Sequence, residues 1–244
     1  MYLQAIKQYK EKNGLGTFRP KTVLFDMDGV LYDSMPNHAT AWVQAMRDFQ
    51  IEMTEEDAYL TEGQKGSDTI MQMVLAQQHR AISQEEAARM YDRKAEIFAT
   101  LPTAPVMPGI LTLMREIQQA GWTIGIVTGS AQRPLIQRLA DDFGEFVSSD
   151  RIVTAYDVAR GKPQPDPYLM GMKKCGDVQP WETIVVENAP LGVQAGVAAG
   201  AFTIGVSTGI LPKQALAAAG AQVVLDSMTR LAGGFPAFLE LLDK

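Results

Sequence analysis

The sequence predicts an α/β fold, a doubly wound, Rossmann-like parallel sheet core with an inserted α-helical cap, and three observations lead there. Short apolar, β-branched runs recur without polar alternation, the pattern of strands buried on both faces. Helix-length segments separate the later runs, as parallel connections require. One long stretch, from about Pro36 to Pro105, holds no such run and carries helical periodicity instead.

Taken in chain order, the first dozen residues read as an extra helix packed outside the sheet, and Thr22–Phe25 is the first strand. Ala39, Trp42, Val43, Met46 and Phe49 then fall on one helical face. Ser83 and Glu86 are spaced as a capping box ahead of Ala87, Met90, Tyr91 and Phe98. This is too much chain for a crossover, so residues 36–104 are assigned to the cap and residues 1–35 with 105–244 to the core. Ser34-Met35-Pro36 and Pro102-Thr103-Ala104-Pro105 are the hinges. Thr123–Val127, Thr183–Val186, Phe202–Val206 and Val223–Leu225 supply further strands.

Composition bounds the function. A chain of 244 residues, 46% hydrophobic and 20% charged, is ordinary globular protein rather than disordered. Its 22 basic and 28 acidic residues give a net charge of −6, so no global basic field recruits nucleic acid or an anionic membrane. An anionic small molecule must be held by a local site. One cysteine forms no internal disulfide, and with two histidines it builds no structural zinc site, which fits a cytoplasmic protein. The N-terminal residues lack a secretory signal pattern, and the uncharged run from Glu187 to Lys213 is broken by glycines and prolines into a helix, a turn and a strand.

Ligands of open α/β sheets bind beyond the carboxyl ends of the strands, and there the sequence places its polar residues. The first strand ends in Asp26-Met27-Asp28-Gly29, the second in Thr128-Gly129-Ser130, and a later one in Glu187-Asn188. Prolines at 163, 165 and 167 hold Lys162 on a loop. These parts suit phosphoryl transfer. A carboxylate approaching a phosphoryl dianion is repelled by about 4 kcal/mol per charge pair at about 4 Å and an effective dielectric near 20. A lysine and a Mg²⁺ ion offset that repulsion. Oxygen ligands from Asp26, Asp28 and Asn188 suit the ion, and Lys162, Thr128 and the Gly129 and Ser130 amides suit the phosphoryl oxygens. Taken singly, Glu187 can instead be a strand end and Asn188 a helix cap.

Asp26-x-Asp28-Gly29-Val30-Leu31, Thr128-Gly129-Ser130, Lys162-Pro163 and Glu187-Asn188, in that order, resemble the four motifs of the haloacid dehalogenase (HAD) superfamily. The likeness covers nearly the whole chain from about Thr22. With the cap and Glu187-Asn188-Ala189-Pro190-Leu191-Gly192, it is similar to the β-phosphoglucomutase-like branch. The resemblance implies that Asp26 is a nucleophile forming an aspartyl phosphate and Asp28 the general acid/base. It implies further that Thr128 and Lys162 bind the phosphoryl group, and that the metal sits on Asp26, the Asp28 carbonyl and the Glu187-Asn188 motif.

Two departures bear on substrate. Asn188 stands where the family's last acidic metal ligand is usual, which removes one negative charge. The cap loop Glu62-Gly63-Gln64-Lys65-Gly66 has glycine at the place where mutases of this branch carry an arginine for the sugar's second phosphate. Glu62 repels such a phosphate and can instead accept from waters on the metal, as in a HAD-type inorganic pyrophosphatase with this kind of loop. The expectation is a Mg²⁺-dependent phosphohydrolase acting on pyrophosphate or a small phosphate ester, with Glu62, Gly129, Ser130, His38 and Lys65 facing substrate. The alternative is a β-phosphoglucomutase, which a histidine at position 38 favours. A 2-haloacid dehalogenase and a catalytically silent binding protein are further rivals.

Overall fold

The computed structural model describes residues 1–131 and 133–242. Its six strands are β1 (Thr22–Phe25), β2 (Thr123–Val127), β3 (Ile152–Val153), β4 (Thr183–Glu187), β5 (Phe202–Val206) and β6 (Val223–Leu225). They form one parallel sheet in the order β3-β2-β1-β4-β5-β6. The chain winds outward from β1 through β2 and β3, then returns to lay β4 on the other side of β1. That reversal opens a crevice at the carboxyl end of β1. Five strands match the apolar runs of the sequence. β3 is an addition, and with two residues it is too short to leave a run.

Alternate residues of β1 serve opposite layers: Val23 and Phe25 join one apolar cluster, Leu24 the other. The first cluster takes in α1 (Tyr2–Asn13), and the second takes in residues of two helices on the opposite face. Burial on both faces explains the unbroken apolar runs. The N-terminal helix α1 is fastened by Tyr9, whose hydroxyl donates to the Gly200 carbonyl at 2.6 Å and whose ring meets Phe202 edge-on.

Between β1 and the second half of the sheet lie α2 (Met35–Asp48), α3 (Glu55–Leu60), α4 (Gly66–Gln78) and α5 (Gln84–Thr100). They enclose an apolar cluster of their own, with Ala39, Trp42 and Met46 buried and Phe49 packed at its edge. Ser83 caps α5 by accepting the Glu86 N–H at 3.1 Å, but the Glu86 carboxylate pairs with Arg80 rather than closing the box. A reciprocal box forms instead at Thr54 and Asp57, ahead of α3. The remaining helices are α6 (Ile110–Gln119), α7 (Arg133–Phe143), α8 (Asp166–Lys174), α9 (Pro190–Ala198), α10 (Lys213–Ala218) and α11 (Met228–Leu242). Among the described residues no helix is long and apolar enough to cross a membrane.

Candidate active site

At the end of β1 the Asp26 N–H still donates to Val186 of β4, which holds the residue in strand register while its side chain enters the crevice. Lys162, from the loop before α8, places its ammonium 2.5 Å from Asp26 Oδ1, 2.7 Å from Glu187 Oε1 and 3.2 Å from the Val127 carbonyl. Glu187 is saturated. Its Oε1 also accepts from the Tyr168 hydroxyl at 2.8 Å, and its Oε2 accepts the N–H groups of Asn188 and Ala189. The carboxylate needs Gly192 opposite it, since a Cβ there would lie 1.8 Å from Glu187 Oε1. Burial opposes the charge on Lys162, but Asp26 and Glu187 outweigh it and hold the ammonium above the ordinary lysine range. Burial, then the charges of Glu187 and Asp28, push Asp26 above the carboxylate range against the pull of Lys162.

Two residues on, Asp28 sits in different company. Its Oδ1 accepts from Ser34 Oγ at 2.6 Å and faces His38 Nε2 at 3.0 Å, while His38 Nδ1 lies 2.7 Å from Lys94 Nζ. A charged ammonium only donates, so His38 Nδ1 accepts from it and Nε2 carries the proton toward Asp28. Burial raises Asp28, yet His38, Ser34 and Lys94 together bring it below the usual range. Lys94 is enclosed by the rings of Phe98, Trp42 and Tyr91, 5.0, 5.3 and 5.8 Å from the ammonium. Burial lowers it to about 8, against the pull of Glu62 and Asp28.

The cap closes over these groups. A cavity of about 30 Å³ is left, lined by Asp28, His38, Glu62, Tyr91, Lys94 and Ser130 among others. Burial raises the Glu62 carboxyl there. Gly66 leaves room for the Tyr91 ring, which a Cβ would approach to 2.2 Å, and a Cβ on Gly129 would come 2.7 Å from the Gly63 carbonyl. Cap and core loops are therefore in backbone contact.

Two sequence expectations change. Lys65, expected at the substrate, turns away from the cavity and donates to the carbonyls of Val158 and Ala159 at 2.7 and 2.9 Å. The Ser130 N–H, expected to donate to a phosphoryl group, donates instead to Thr128 Oγ1 at 3.0 Å, two residues back along the chain. Thr128 itself remains at the crevice, tied to β3 through its N–H and the Val153 carbonyl.

The donor set for a metal can be tested on one atom. Asn188 Oδ1 is buried with no hydrogen-bond partner, and the side chain does not cap α9. Such an orphaned acceptor costs about 1–3 kcal/mol unless a ligand satisfies it. Gly29 makes room for the amide: its φ is 79°, and a Cβ would lie 2.0 Å from Asn188 Nδ2. With Asp26 and the Asp28 carbonyl this is an oxygen set suited to a hard cation. Among the described residues no group of three or more His, Cys, Asp or Glu side chains is arranged to hold a metal, so the fit rests on one carboxylate, Asp26, with the Asn188 amide and Asp28 carbonyl oxygens. Glu187, expected at the metal, joins only by giving up one of its present bonds.

Sequence reasoning missed Ser34, Lys94, Tyr91 and Tyr168. The signal for Lys94 was its spacing: it falls on the same stripe of α5 as Ala87, Met90 and Ile97, all buried.

Comparison with known proteins agrees with this geometry. The profile of the family described as haloacid dehalogenase-like hydrolase matches residues 20–200. Hexitol phosphatase A of Escherichia coli (strain K12) is 33% identical over 190 residues, 78% of this chain and 84% of that protein. β-Phosphoglucomutase of Bacillus subtilis (strain 168) is 26% identical over 197 residues, again 78% and 84% of the two chains. A Bacteroides vulgatus structure, provisionally identified as a β-phosphoglucomutase, superposes with a TM-score of 0.95 at 41% identity, covering 100% of this chain and 98% of that one. Most of the chain lies within the family profile and the four motifs converge on one crevice. The chain therefore belongs to the haloacid dehalogenase-like hydrolases and is an enzyme of the phosphatase and phosphotransferase type.

Proposed function

We propose that the protein is a Mg²⁺-dependent phosphohydrolase of small phosphorylated metabolites, with inorganic pyrophosphate or a small phosphate ester as substrate. The observation that carries this reading is the lining of the cavity under the cap, where the Glu62 carboxylate and the Tyr91 ring stand in the wall with Asp28. A sugar bearing a second phosphate meets the Glu62 carboxylate and the Tyr91 ring there, and the Lys94 ammonium in the wall is already engaged by His38 and ringed by aromatic side chains.

Asp26 attacks phosphorus and becomes the aspartyl phosphate, while Asp28, driven to its protonated form by the charge of the bound anion, protonates the leaving oxygen. Asp28 then takes a proton from the water that hydrolyses the acyl phosphate, with His38 and Lys94 setting its orientation. Lys162 holds Asp26 and screens the incoming anion, and Thr128 donates to a phosphoryl oxygen. Asp26, the Asp28 carbonyl and Asn188 would hold Mg²⁺, whose chemistry when bound is to neutralise charge on the phosphoryl oxygens. Residues 36–104 act as a cap that opens about the two hinges to exchange substrate and product. The lone cysteine, buried Cys175, fits a reducing cytoplasmic setting.

A second reading, mutase, is favoured by His38 on Asp28 and by the likeness to the Bacillus and Bacteroides proteins. Phosphate release with and without Mg²⁺, measured on pyrophosphate, hexitol phosphates and β-glucose 1-phosphate, tests both. Fast metal-dependent release from pyrophosphate is the expected result. Conversion of the glucose compound to its 6-phosphate without phosphate release would replace hydrolase by mutase, and rates on pyrophosphate no higher than on sugar phosphates would remove the pyrophosphate assignment.

A further inference from the structure

We propose that Lys65 is a positioning residue: it latches the cap loop onto the core loop that carries Lys162, and so sets the closed state in which the loop bearing Glu62 lies against the Lys162 stem. The bonds span the two parts of the fold. Lys65 belongs to the cap loop between α3 and α4, and its acceptors, Val158 and Ala159, are core residues more than ninety positions away in sequence.

The placement of the lysine is otherwise unfavourable. Lys65 is the N-cap of α4, where a positive charge opposes the helix dipole, and its side chain makes no capping bond. The ammonium reaches outward to two backbone carbonyls instead. The nearby acids are engaged elsewhere, Asp157 with Lys174 and Asp166 with Arg160, so carbonyls receive the charge. The core loop is shaped for the lysine. A Cβ on Gly161 would lie 3.0 Å from Lys65 Cγ and 3.2 Å from the Lys65 backbone nitrogen. Lys162 follows at once, and its own stem lies against Gly63 of the cap loop, where a Cβ would come within 2.9 Å of Lys162 Cδ. One ammonium thus ties the loop holding Glu62 to the loop holding the residue that neutralises Asp26. Solvated in an open state, Lys65 and the two carbonyls lose only this mutual bond, so the bond biases the equilibrium toward closure.

The test compares Lys65→Met, which keeps the stem and removes the donors, with Lys65→Arg, which keeps the charge. Amide hydrogen exchange on the substrate-free protein reads closure without reference to any substrate. In Lys65→Met the amides of residues 62–66 and 158–162 should exchange about tenfold faster or more, the equivalent of one charged hydrogen bond, while the sheet is unchanged. On pyrophosphate with Mg²⁺, KM should rise roughly tenfold with kcat changed less than about twofold. Lys65→Arg should restore both. Unchanged exchange in those two loops overturns the latch, whether or not pyrophosphate is turned over. Faster exchange spread over the whole core, with Arg giving no rescue, overturns it in favour of general support of the fold. Should pyrophosphate not be hydrolysed at all, the substrate assignment falls while the exchange result still decides the latch.

Discussion

Lys162 and Lys94 are both 2% exposed, and yet they are held in opposite ways. Lys162 lies between two carboxylates, at 2.5 and 2.7 Å, and is kept protonated above the ordinary range. Lys94 meets an imidazole nitrogen and three ring faces, and is lowered to about 8. Burial strips water from both ammoniums, so what separates them is the charge of the neighbour. The core supplies a fixed cation opposite Asp26. The cap supplies one whose proton sits near physiological pH, two bonds from Asp28.

The comparison breaks most severely at Lys162. Lys162→Met leaves Asp26 and Glu187 buried side by side with no counter-charge, and urea denaturation at pH 7 should show a loss of about 3–5 kcal/mol together with loss of turnover. Lys94→Met removes a cation from surroundings that accept a thioether, so its stability at pH 7 should stay within about 1.5 kcal/mol of the parent. Its phosphatase activity should fall by roughly 10²-fold, because His38 loses the donor that fixes its tautomer. A pH series sharpens the contrast. Between about 8 and 10.5 the unfolded chain keeps the Lys94 proton and the folded chain releases it, so stability attributable to this group rises with pH across that window. The rise is on the order of 3 kcal/mol at its upper limit and should be absent in Lys94→Met. The smallest effect is expected at Tyr168. Tyr168→Phe removes one of four donors to Glu187 but leaves Lys162 in place, and should cost about 1 kcal/mol in denaturation.

The same contrast explains how far the sequence could be read. Lys162 was legible because prolines fix its loop and because the strand ends around it carry acids in a recognisable order. Five of six strands were legible because residues such as Val23, Leu24 and Phe25 are buried whichever layer they face. β3 was not, since Ile152 and Val153 become a strand only by pairing with Ile126 and Val127. Lys94 was not read as part of the site either: a lysine within a charged helix passes for a solvated one until the cap helices pack and Trp42, Tyr91 and Phe98 surround it. Lys65 was placed in the right loop and given the wrong target. Loop position follows from sequence, whereas the direction of a four-carbon stem depends on which carbonyls the opposing loop presents.

The closed cleft has a further property as an ion exchanger. Among the described residues, the carboxyls of Asp26, Asp28, Glu62 and Glu187 share the cleft with two ammoniums, Lys94 and Lys162, and the His38 ring, so with the carboxyls and lysines ionised the carboxylates outnumber the ammoniums. A free polyanion entering it worsens that deficit, and each like charge met at close range resists entry. An anion that arrives already complexed to a divalent cation reduces it. On the proposed reading the cleft should favour an anion that brings its metal with it, and substrate affinity should then track the concentration of the metal complex rather than that of total phosphate compound.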